Sequence, residues 1–171
     1  FAAFCLAAAV LILMPGPSVM LTVGHSLSYG WRAALMTVLG ATCGVGVQLT
    51  IAIAGMTTLM LWLADWFELL RWVGVAYLLY LGIQQWRARP EAADAPVATA
   101  SARSLYAQGL VVTIANPKTM LFLAAFFPQF VDPAGALELQ FAVMGASFLL
   151  ITYVFTAVWA VAADRARGLF R

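Results

Sequence analysis

Long apolar stretches, in which Lys118 is the one formally charged residue, divide the chain into five predicted membrane spans. The stretches are residues 1–27, 33–64, 72–86, 105–127 and 141–163. A bilayer core about 30 Å thick requires about 20 apolar residues in a helix that rises 1.5 Å per residue. Each stretch reaches that length, the third only when Leu69, Leu70 and the ring of Trp86 are included. The pattern therefore predicts an all-α polytopic membrane protein with five transmembrane helices in this chain.

The composition supports the same class of protein. Of the 171 residues, 64% are hydrophobic and 9% are charged, and the mean hydropathy is +0.95. Soluble domains carry about 25% charged residues, so a soluble fold of this size would lack the polar side chains to cover its surface. Soluble globular, disordered and collagen-like classes are excluded. A net charge of +2 is too weak to indicate a nucleic-acid partner, and the expected surroundings are a lipid bilayer.

Basic residues fall on one side of the predicted spans. Seven arginines lie after spans one, three and five, whereas Arg71 is the single basic residue predicted on the opposite side. Loops rich in Lys and Arg stay in the cytoplasm. The bias therefore predicts that the N-terminus is outside and that the polar connector of residues 89–104 is cytoplasmic.

Two proline motifs indicate an internal repeat. They interrupt the first and fourth spans, so residues 1–88 form a predicted first three-helix unit and residues 105–171 a second. Because three spans per unit is an odd number, the second unit would be inverted in the membrane, as in many secondary transporters. The second unit is short by about one helix, which predicts that a sixth helix is missing. The alternative is a genuine five-span protein.

The first interruption consists of Pro15, Gly16, Pro17 and Ser18. The two prolines remove backbone donors and clash with the preceding turn, which leaves carbonyl groups free. Within a membrane such groups must face protein or a water-filled cavity. Transporters use discontinuous helices to present backbone dipoles to substrates. The motif therefore predicts either a substrate site or a packing kink.

The second interruption consists of Asn116, Pro117 and Lys118. Lys118 is the one formally charged residue deep inside a predicted span, where a cation costs at least about 2.5–3.5 kcal/mol. An ionisable residue in such a place indicates function. The competing interpretation places residues 105–114 at the interface and Lys118 near the headgroups.

Other polar residues within the spans have structural explanations. Gln48 needs a partner and is either a contact between helices or a ligand contact, and a GxxxG pair of Gly40 and Gly44 indicates close helix packing. Cys5 and Cys43 are most simply buried apolar residues. No motif for a metal, a nucleotide phosphate or a dinucleotide is present, so no enzyme activity and no cofactor are predicted.

Four motifs in register resemble the LysE/RhtB family of exporters. They are Pro15 to Ser18, Gly30 to Ala34, Gly74 to Gly82, and Asn116 to Lys118 followed by Phe126 to Phe130. The resemblance implies a six-helix exporter of amino acids or their derivatives in the bacterial inner membrane, driven by the proton motive force and compatible with a homodimer. Many members of the family carry an acidic residue or Asn where this chain has Ser18, so no acidic proton carrier is assigned there.

The leading hypothesis is therefore secondary-active export of a small neutral amino acid. The predicted binding residues are Pro15, Gly16, Pro17, Ser18, Gln48, Asn116, Pro117 and Lys118. Helix N-termini and Lys118 would hold the carboxylate, and carbonyl groups beside Pro15 with the Ser18 hydroxyl would hold the ammonium. The alternatives are an exporter of metal or other inorganic ions and a membrane thiol-redox carrier that uses Cys5 and Cys43.

Overall fold

The structure is a computed structural model that describes residues 1–58 and 100–169. Every regular element in these two ranges is helical. The elements are α1 (Ala2–Leu13), α2 (Pro17–Tyr29), α3 (Trp31–Thr58), α4 (Ala102–Ile114), α5 (Pro117–Ala125), a 3₁₀ turn (Phe127–Phe130) and α6 (Leu137–Leu169). The predicted third span and most of the predicted connector lie outside the described residues.

The described helices provide two candidate membrane spans, or up to four if each bent helix pair crosses the membrane as one span. α3 and α6 are each long and apolar enough to cross a membrane alone. α1 and α2 together form a bent span with an angle of 54° between them, and α4 with α5 and the 3₁₀ turn forms a second with an angle of 50°. The all-helical membrane class is thus confirmed, whereas the count of five, the repeats and the orientation stay predictions.

Both bends arise at the predicted proline motifs. Residues before a proline avoid helical dihedral angles, and Met14, Gly16 and Asn116 are all extended. Pro17 and Pro117 then begin the next helix, where the missing N–H costs nothing because the first helical N–H groups have no partner within the helix. The prolines thus end one helix and begin another within the same span.

The two broken spans run antiparallel with their breaks at the same level. Phe4, near the start of the first, stacks edge-on against Phe127 at the end of the second, with ring centroids 5.6 Å apart. At the two breaks, Met14 contacts Lys118. The Ser18 hydroxyl, just after the first break, lies 3.0 Å from the Thr113 hydroxyl, just before the second. The chain direction of one span is therefore opposite to that of the other.

Glycines bring α3 and α4 into backbone contact. A Cβ atom on Gly40 would lie 2.0 Å from the Tyr106 carbonyl oxygen. A Cβ atom on Gly109 would lie 2.2 Å from the Thr37 carbonyl oxygen. A Cβ atom on Gly44 would lie 2.9 Å from both the Leu110 oxygen and the Thr113 Cβ. The predicted packing role of the GxxxG pair is confirmed, and Gly109 is its counterpart on α4.

α6 packs along α1, α2 and α3 and completes the core. Phe148 of α6 is fully buried and stacks on Phe122 of α5, with centroids 5.4 Å apart. The helix continues past the predicted apolar span to Leu169, where an ion pair of 3.1 Å joins Asp164 to Arg167. Arg167 also donates to the Leu27 carbonyl at the end of α2 (3.0 Å), so this end of α6 is fixed to α2.

Candidate functional site

The two helix breaks meet at a small, partly open cavity of about 40 Å³. Four of the predicted site residues line it, namely Gly16, Ser18, Asn116 and Lys118. The other four do not line it, namely Pro15, Pro17, Gln48 and Pro117, and Pro15 is exposed. The prolines form the two breaks, and Gln48 bonds to the second break. The cavity has room for a few water molecules, each of which needs about 10–15 Å³, but not for a whole amino acid.

Lys118 crosses from the second break to the first. Its ammonium group donates to the carbonyl oxygen of Met14, which is the last residue before Pro15. Its side chain also passes over Gly16, where a Cβ atom would lie 3.4 Å from Lys118 Cδ and 3.7 Å from Nζ. A half-buried cation thus lies beside the N-terminus of α2, which carries a partial positive charge of its own.

Ser18 joins the two spans through its hydroxyl group. The group accepts a hydrogen bond from the Thr113 hydroxyl at 3.0 Å and another from the Asn116 side-chain amide at 3.2 Å. A hydroxyl oxygen accepts two hydrogen bonds and donates one. With this direction of the two bonds, the Ser18 proton is used in neither of them.

The first break leaves its backbone groups open. No side chain caps α2, whose N-cap residue is Gly16. The Val10 carbonyl is used by Met14 N–H, but within the described chain no group donates to the carbonyls of Leu11 and Ile12, which both line the cavity. Free N–H groups and free carbonyls thus lie together at one place, as they do at helix ends without caps.

The second break, in contrast, has its backbone groups satisfied. Asn116 caps α5 by accepting from Lys118 N–H at 3.1 Å. On the other side, the Gln48 side-chain amide donates to the carbonyls of Thr113 (2.8 Å), Ile114 (3.0 Å) and Asn116 (3.3 Å). Gln48 is thus a helix contact that fixes the second break, and its Oε1 has no partner among the residues that the structure describes.

Sequence analysis missed the threonines of the cavity. Thr113 and Thr119 come from the second broken span, and Thr152 and Thr156 lie one turn apart on α6. All four are at least nine-tenths buried. The available signal was a pair of threonines four positions apart in the uncharged stretch 141–163, a spacing that places both on one face of a helix.

The two cysteines of the thiol-redox alternative, and the single histidine of the chain, lie outside the cavity lining. Cys5 packs against the apolar core at α1, and Cys43 is exposed on α3. His25 contacts the Thr37 hydroxyl at 2.7 Å and is not part of the lining. Within residues 1–58 and 100–169, no group of three His, Cys, Asp or Glu side chains could hold a metal ion.

Apolar helices that are broken beside a cavity with polar groups in its lining are typical of membrane transport proteins. The family model for LysE type translocators matches residues 9–171. The chain belongs to this family of transporters, as its motifs predicted.

Curated relatives cover nearly the whole chain. The homoserine/homoserine lactone efflux protein of Salmonella typhimurium is 34% identical over 164 residues, which are 95% of this chain and 80% of that protein. An uncharacterized membrane protein of Vibrio cholerae is 35% identical over 150 residues, which are 87% of this chain and 73% of that protein. No solved structure matches the chain significantly.

Proposed function

We propose that the chain is a secondary-active exporter of small neutral amino acids or their derivatives across the bacterial inner membrane. The observation that carries this proposal is the contact between the Lys118 ammonium group and the first helix break, beside free backbone groups of both polarities. A zwitterion needs both a cationic and an anionic partner in a low-dielectric site. One end of the cavity offers both.

The carboxylate of the substrate would bind at the N-terminus of α2. Free N–H groups at a helix N-terminus and a nearby cation both favour an anion. Lys118 supplies the cation at Gly16, and the Ser18 hydroxyl supplies a further proton. The carboxylate would thereby compete with the Met14 carbonyl for the Lys118 ammonium group.

The ammonium group of the substrate would bind at the end of α1. Leu11 and Ile12, whose carbonyls have no donor within the described chain, line the cavity, and the Met14 carbonyl would become free when Lys118 turns to the carboxylate. Carbonyl groups at a helix C-terminus carry partial negative charge and suit a cation. The second break, which Gln48 and Asn116 satisfy, would serve as a rigid support.

The small volume of the cavity implies an opening movement. A space of about 40 Å³ excludes an amino acid, so α2 and α6 would separate at the end where Arg167 bonds to Leu27. The basic residues at this end place it in the cytoplasm in the predicted topology. Substrate would then enter from the cytoplasm, with the proton motive force as the driving force.

The names of the relatives support the choice of substrate. The Salmonella typhimurium relative is named for efflux of homoserine and homoserine lactone, which are a small neutral amino acid and its derivative. Neither alternative has comparable support at this cavity. A lining that contains Lys118 disfavours a metal cation, and neither Cys5 nor Cys43 lies there. The homodimer stays a prediction.

The test is transport into inverted membrane vesicles. Radiolabelled homoserine and a panel of neutral, acidic and basic amino acids are offered with and without a proton gradient. We expect uptake of at least one small neutral amino acid that the gradient stimulates. Absence of stimulated flux for the whole panel, with the protein present in the vesicles, would contradict the proposal.

A further inference from the structure

We propose that Thr156, supported by Thr152, forms a subsite that selects substrates whose side chain carries a hydrogen-bonding group. This inference rests on the proposed function and adds the residue that determines specificity. The two threonines lie on α6, whereas the groups proposed for the carboxylate and ammonium belong to the two broken spans.

The Thr156 hydroxyl lacks a hydrogen bond although its residue is buried. Thr156 is 3% exposed, lines the cavity, and makes no hydrogen bond within the described part of the chain. Thr152 differs, because its hydroxyl donates to the Phe148 carbonyl of the preceding turn at 2.8 Å. The hydroxyl of a buried residue normally has a partner. The Thr156 oxygen, like that of Thr119 on α5, is instead open to the cavity, where it can bond to a ligand group or to water.

The surroundings of Thr156 make its hydroxyl selective. Much of the remaining lining is aliphatic and includes Val19, Ala41 and Val45. In such surroundings an apolar substrate side chain would leave the Thr156 hydroxyl unpaired, whereas a hydroxylated one would pair with it. A site built to bond a substrate hydroxyl rejects an analogue that lacks it far more strongly than a site that adds only apolar contact.

Thr152 would act as a second acceptor one turn away. Its proton is used within the helix, but its lone pairs are free to accept from a substrate hydroxyl. Thr156 can donate and accept. The pair thus matches a group that both donates and accepts, such as a hydroxyl, better than a purely apolar group.

The experiment compares two substrates of the same shape in vesicles that contain the full chain. L-Homoserine and L-norvaline differ in having a hydroxyl or a methyl group at the same position. We expect the wild type to prefer homoserine. Thr156→Val should reduce this preference by about tenfold or more while norvaline transport persists. Thr156→Ser, which keeps the hydroxyl, should retain the preference.

Thr42→Val is the matched control. Thr42 donates to the Val38 carbonyl on α3 at 2.9 Å and does not line the cavity, so its loss should leave the preference unchanged. An unchanged preference in Thr156→Val would overturn the subsite and leave the proposed export intact. Loss of both substrates in Thr156→Val and Thr156→Ser at normal membrane abundance would also overturn it. A wild type that carries neither amino acid would contradict export of this class, and the subsite with it.

Discussion

The ammonium group of Lys118 donates to the carbonyl oxygen of Met14, 104 residues earlier in the chain. This contact joins the two proline breaks, which belong to two different broken spans. It gives a half-buried cation a partner in a predicted span, where an unpaired cation is costly. It also keeps the cation beside the N-terminus of α2, where an anionic ligand would displace the carbonyl.

We expect Gln48→Leu to destabilise the protein by about 1–3 kcal/mol and to reduce transport. The substitution removes the donor that three carbonyls at the second break share. The Thr113 and Asn116 carbonyls keep the N–H groups of Asn116 and Met120, whereas the Ile114 carbonyl loses the one donor that it has within the described residues, and such a loss costs about 1–3 kcal/mol. Thermal unfolding of the purified protein measures the change. Thr50→Val is the control, because Thr50 is exposed and its hydroxyl donates to the Gly46 carbonyl of its own helix at 2.9 Å. Equal stability of the two variants would contradict the supporting role of Gln48.

Two glycine substitutions should have opposite effects. Gly109→Ala places a Cβ atom 2.2 Å from the Thr37 carbonyl oxygen, so we expect a loss of about 2–3 kcal/mol in the free energy of unfolding. Gly24→Ala on α2 meets nothing within 4 Å and should stabilise the helix by up to about 1 kcal/mol. Membrane abundance and unfolding temperature measure both. A Gly109→Ala protein as stable as the wild type would contradict the close packing of α3 and α4.

The predicted orientation is testable by labelling from outside the cell. Single cysteines replace the exposed residues Ala102 and Asp132 in a protein that carries Cys5→Ala and Cys43→Ala. The basic bias predicts that a membrane-impermeant thiol reagent modifies the cysteine at position 132 and spares the one at position 102. The reverse pattern would invert the topology and remove the support for entry from the cytoplasm.

Much of the fold could be predicted from local signals. Proline chemistry acts on neighbouring residues, so both breaks were visible at Pro15–Gly16–Pro17 and at Asn116–Pro117. The GxxxG pair of Gly40 and Gly44 is also a local signal, because small residues at this spacing let two helices approach closely. The Ser101 side chain accepts from Ser104 N–H and caps α4, which begins at Ala102, so the last three residues of the predicted connector are helical.

The partners of these signals depend on tertiary structure, which the local pattern does not contain. Nothing near Gln48 in the sequence shows that it bonds to carbonyls 65 to 68 residues later. Thr156 and Gly109 likewise resemble ordinary helix residues until α6 and α4 are placed against their neighbours. The predicted site residues therefore did not include Thr152 and Thr156, which α6 contributes to the cavity lining.

The most direct test of the account compares efflux by the wild type, Lys118→Arg and Lys118→Met at measured membrane abundance. The Met variant should insert normally, because the costly buried cation is gone, but its transport should be lost. The Arg variant should also fail or change its substrate, since a planar guanidinium does not replace a compact ammonium group. Normal efflux by Lys118→Met at wild-type abundance would contradict the account and remove Lys118 from the substrate site.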